Sequence, residues 1–144
     1  MTPTYLGRIQ TRLFLLAIVG GLWTLILAPM LPGDATTGQK YQATFTILAV
    51  VFVVGIAWDT LYHGLQQFRW EKDWPIMFAL LVGINEGVVA WIIINSGSVP
   101  GHPGVTGSAF VIHFATVWLL TWLFAIGPMR VPLIRWRFRG GRLV

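Results

Sequence analysis

A chain of 144 residues that is 56 % hydrophobic and only 10 % charged lies outside the range of soluble domains, where about a quarter of residues are charged. The absence of cysteine excludes disulfides, thiolate metal sites, iron–sulfur ligation and thiol redox chemistry. A mean hydropathy of +0.71 and several apolar runs near the ~20 residues needed to cross a bilayer predict an all-α integral membrane protein, a single polytopic domain over residues 1–144.

Four spans are expected. The first covers about residues 13–30, beginning at Leu13 and stopping at the prolines of "APMLPGD". Its basic start resembles a signal peptide, but the apolar run is long and no small-x-small cleavage site closes it, so it reads as a retained helix. The second span covers about 43–66. The third covers about 74–95, with Pro75 in its first turn, where a missing N–H costs nothing. The fourth covers about 108–126 and ends at Gly127–Pro128, leaving a basic tail over 128–144. Short connections predict an up-down antiparallel bundle.

The basic residues set the expected orientation. Arg8 and Arg12 precede the first span, Arg69 and Lys72 separate the second and third, and Arg130, Arg135, Arg137, Arg139 and Arg142 follow the fourth. The other two loops hold only Lys40, a nine-to-one bias that places both termini in the cytoplasm of a bacterium whose inner membrane holds the chain. Trp70, Trp74 and Trp136 are expected to anchor the helices at the inner interface. The net charge of +5 has this topological explanation, so nucleic acid is not an expected partner. The five tail arginines, interleaved with apolar side chains, are expected to lie on anionic inner-leaflet lipids or to dock on a partner.

Ionisable groups inside a span are the functional candidates, because each costs at least ~2.5 kcal/mol at mid-membrane unless it is partnered. Those expected within the spans are Asp59, His63, Glu86 and His113, with Tyr62, Asn85 and Thr116 beside them. Glu86 shares a helical stripe with Ala79, Gly83 and Ala90, and Gly83 and Gly87 form a G-x-x-x-G step. Gly55, Asp59, Tyr62 and His63 share one face of the second span. Ala17, Gly20, Gly21, Thr24 and Ala28 make a small-residue ridge on the first. Small faces favour helix contact, so the polar groups are expected to converge inside the bundle.

At ~1.5 Å per residue the two histidines differ by roughly 20 Å in depth, which rules out shared haem or metal ligation. No metal or other cofactor is expected. His113, Glu86, Asp59 and His63 instead form a ladder with steps of roughly 6–8 Å, the pattern of a proton relay. The plainer expectation is that Asp59 and His63 pair at i, i+4 and that Glu86 bonds a neighbouring helix. His102, on the outer loop, is expected to be solvated.

No nucleophile–base set, phosphate loop or H-E-x-x-H motif appears, so an enzyme is the weakest expectation. Three functions fit the residues: an accessory subunit of a larger membrane complex, a homo-oligomeric proton- or cation-coupled transporter, and a membrane enzyme or quinone site near Tyr62 and His63.

Overall fold

Proline and threonine punctuation divides the chain into helices. The structure, a computed structural model, describes residues 4–69, 75–99 and 105–144. Trp70, Lys72, Trp74 and His102, given roles above, lie outside the described residues. Among the described residues there are helices and no strands. Four helical stretches are long and apolar enough to cross a membrane: Tyr5–Met30, Thr37–Gln67, Ile76–Asn95 and Gly107–Arg130.

The first stretch begins at Tyr5 rather than at Leu13. The Thr4 hydroxyl caps it by accepting from the Gly7 amide at 3.1 Å. Helix α1 (Tyr5–Phe14) is amphipathic and polar on its inward side, so no apolar run marks it. A π-helical segment (Leu15–Gly20) and α2 (Gly21–Leu27) continue the axis. A short 3₁₀ turn, Ala28–Met30, ends it at Pro29. Helix α3 (Thr37–Gln67) opens with a capping box between Thr36 and Gln39. Its 31 residues extend about 46 Å, well beyond a bilayer's hydrocarbon thickness. Helix α4 (Ile76–Asn95) starts after Pro75. Helix α5 (Gly107–Ile126) starts where the Thr106 hydroxyl caps the Ala109 amide at 3.3 Å.

The first stretch packs on α3 and α5, and α4 packs on the same two helices. The G-x-x-x-G step of α4 meets large rings rather than another small face. Phe110, Phe114 and Trp118, one helical turn apart on α5, stack with centroids 5.6 and 5.8 Å apart. A Cβ on Gly87 would fall 2.6 Å from Phe114 Cε1, and one on Gly83 would collide with the Trp118 indole. The two glycines therefore form a slot for an aromatic ridge. The Trp118 and Trp122 indole N–H groups donate to the carbonyls of Leu80 and Ile76, both at 3.2 Å. Gly20 is buried beside Val117 and Leu48, and Gly21 is buried against its own helix. Ala17, grouped above with them, faces outward.

The tail is folded back along α1. Gly7 is buried because the Gly140–Gly141 backbone lies directly on it, leaving no room for a Cβ. The Thr4 amide donates to the Gly140 carbonyl at 2.8 Å, and the Thr11 hydroxyl donates to the Gly141 carbonyl at 3.0 Å. Gly140 and Gly141 both take positive φ, which suits glycine. Trp136 lies within α6 (Ile134–Phe138). It is buried against Leu15 and Met129, and its indole donates to the Thr11 hydroxyl at 2.7 Å. The buried indole N–H thus has its hydrogen-bond partner while the ring packs in apolar surroundings.

Candidate functional site

The polar core forms around a residue that the charge count assigned to a cytoplasmic flank. Arg12 sits about two turns into the first stretch, on one stripe with Arg8, Leu16, Gly20, Thr24 and Ala28 at successive steps of four. That stripe faces the bundle, and the Arg12 side chain is only 11 % exposed. Its Nε donates to Asp59 Oδ2 at 2.7 Å and its Nη2 to Asp59 Oδ1 at 3.3 Å. Its Nη1 donates to Glu86 Oε1 at 2.6 Å. One planar guanidinium thus joins carboxylates from α3 and α4, using the fork geometry that lysine lacks. Gly55 makes room for it, since a Cβ there would strike the Arg12 guanidinium.

Glu86 is wholly buried, and its second oxygen, Oε2, has no hydrogen-bond partner among the described residues. Arg8, one turn before Arg12, donates from Nη2 to Gln66 Oε1 at 2.6 Å, while its Nε is buried without a partner. A cavity of about 320 Å³ adjoins this group, lined by Arg8, Arg12, Asp59 and Tyr62 on one side. Phe78, Trp118, Trp122 and Trp136 supply the aromatic wall. Gly7 and Gly141 also border it, so the cavity lies in the half of the bundle that holds both chain ends.

The structure divides the expected polar set. Asp59 and Glu86 come together through Arg12. His63 does not pair with Asp59; its Nδ1 is buried with no hydrogen-bond partner among the described residues. Its ring packs on Tyr5 with centroids 5.7 Å apart. Tyr62 borders the cavity and meets Phe78 edge-on at 5.5 Å.

His113 is buried and linked to Thr24 at 2.8 Å between Nε2 and Oγ1. Leu16, Ile47, Leu48, Val51 and Val117 form the apolar core on the His113 side of the triad, around a void of only about 10 Å³. His113 itself lines that void, and its Nδ1 is buried with no hydrogen-bond partner among the described residues. Thr116 accepts from the Trp23 indole at 3.0 Å and donates to the Ile112 carbonyl at 2.7 Å. Asn85, next to Glu86 in sequence, points outward, because adjacent residues on a helix differ by 100°. Arg130, Arg135, Arg137, Arg139 and Arg142 are all exposed.

No cluster of three or more His, Cys, Asp or Glu side chains occurs among the described residues. The carboxylates of Asp59 and Glu86 are both engaged by the Arg12 guanidinium. Comparison with protein-family models, curated proteins and solved structures gives no match for this chain.

Proposed function

We propose that this chain forms an up-down antiparallel four-helix bundle in a bacterial inner membrane, both termini cytoplasmic, and works as a proton-coupled carrier of a small ligand held in the cavity. The nine-to-one distribution of basic residues supports the orientation. The observation behind the activity is the unequal use of four carboxylate oxygens. Three accept from Arg12, and the fourth, Glu86 Oε2, is buried and bare.

A buried ion pair is a poor stabilising device, since desolvation offsets most of its attraction. A triad with one unfilled acceptor is well suited to switching. A proton reaching Oε2 cancels the Glu86 charge and weakens its hold on Arg12, leaving Asp59 as the charged partner of a guanidinium that borders the cavity. Loss of the proton returns Arg12 to its clamp between two helices. The exchange takes one proton from water and gives it back.

Infrared difference spectroscopy of the lipid-reconstituted protein tests this reading. The carbonyl stretch of a protonated carboxyl should appear as the pH is lowered and vanish as it is raised in the wild type, and be missing in Glu86→Gln. Identical spectra from the two proteins would refute proton coupling at Glu86.

A second reading is a subunit of a larger membrane complex. The exposed tail arginines favour it, because the strap on α1 holds them at one end of the bundle as a basic surface for lipid phosphates or an acidic partner. Gentle purification from native membranes would return stoichiometric partner chains if it holds.

A further inference from the structure

We infer that the cavity binds an organic monoanion: a carboxylate on a flat apolar body, its head toward Arg8 and Arg12 and its body among Phe78, Trp118 and Trp122. The inference rests on the proton-coupled reading above and names the ligand.

Charge selects the class. With both carboxylates ionised, Arg8 and Arg12 balance Asp59 and Glu86, so an ion entering from water would bring uncompensated charge into an apolar site. A proton on Glu86 leaves one positive charge in excess, and a monoanion restores balance. A cation would add to the excess, and a dianion would overshoot it. Around Glu86 the charged groups are Arg12 from α1 and Asp59 from α3; the titratable residue of α5, His113, is held by Thr24.

Hydrogen bonding selects the head. The Arg8 Nε is a buried donor without a partner, and Arg12 Nη1, bonded to Glu86 Oε1, is held less tightly once a proton on Oε2 removes the Glu86 charge. Carboxylates match such donors well. Volume and walls select the body. About 320 Å³ falls within the small-ligand range of roughly 300–1,000 Å³ and suits one or two fused rings better than a lipid. Aromatic side chains face it, and ring stacking favours a planar ligand.

The test is equilibrium dialysis of naphthoate, with its alcohol and amine analogues, against the full chain in nanodiscs of uncharged lipid. Naphthoate should bind saturably, with the alcohol and the amine at least about tenfold weaker. Arg8→Gln should weaken naphthoate by a similar factor, and Arg8→Lys should recover part of it. Ala79→Leu, which fills the cavity from the α4 side, should abolish binding while keeping all four charged groups. Each naphthoate bound should take up close to one proton, and Glu86→Gln should bind naphthoate without that uptake. Preference for the amine, or naphthoate binding untouched by both Arg8→Gln and Ala79→Leu, would overturn the site. Absence of binding alongside a Glu86-dependent infrared signal would overturn the anion site alone. Saturable binding that moves no proton would overturn the coupling and leave the anion site standing.

Discussion

Replacing Arg12 by methionine removes the one cation that two buried carboxylates share. Methionine fills a similar length of space, so packing is nearly kept and the loss is electrostatic. Three charge-assisted hydrogen bonds disappear, at 2.6, 2.7 and 3.3 Å. Removing one partner of a buried charged group costs about 3–5 kcal/mol, mostly because the remaining charge is stranded. That corresponds to between two and four powers of ten in the folding equilibrium. The triple variant Arg12→Met, Asp59→Asn, Glu86→Gln carries no stranded charge and should recover most of the loss, the three sites being strongly coupled. Glu86→Gln alone keeps an acceptor for Arg12 and should stay within about 1 kcal/mol of wild type. Reversible unfolding in mixed micelles, followed by tryptophan fluorescence, measures all four proteins. If Arg12→Met costs under about 1 kcal/mol, or the triple variant is no more stable than the single one, the triad is not the buried charged cluster described here.

Gly55→Ala should push the Arg12 guanidinium off its carboxylates and lower stability by about 1–3 kcal/mol in the same assay, although no charge changes. Thr24→Val strands the buried His113 Nε2 and should cost about 1–3 kcal/mol, with Thr24→Ser returning close to wild type. Gly7→Ala sets a methyl group against the Gly140 carbonyl and should release the tail; limited trypsin digestion should then cleave after Arg135, Arg137 and Arg139 faster than in the wild type.

The membrane architecture was readable because apolar length is a strong signal: α4 and α5 fall within two residues of the ends drawn from the sequence. Glu86 as an inward residue was also readable, since Gly83, Gly87 and Ala90 mark its face. Arg12 was missed for a definite physical reason. Counting charges at span ends treats a basic residue before the first apolar run as a flank, and Leu13 opened that run. The signal that could have found it is the continuity of its stripe with Gly20 and Thr24, together with two inward carboxylates lacking a cation. Asn85, grouped with the polar set for its place beside Glu86 in sequence, turns outward because adjacent helical residues differ by 100°. The π-helical segment and the seat of Trp136 left no local trace, because both depend on what packs against the first span.

Arg12 also bears on how the chain is made. It emerges from the ribosome 47 residues ahead of Asp59 and 74 ahead of Glu86. At about 5–20 residues per second, the guanidinium exists for roughly 4–15 s before Glu86 has been synthesised. During that interval a lone arginine favours the aqueous interface over the bilayer interior, and its long side chain can reach headgroups only if α1 stays shallow. The opening turns of α1 can therefore settle among their neighbours only once α3 and α4 supply the carboxylates, so this part of the assembly waits on segments made after it.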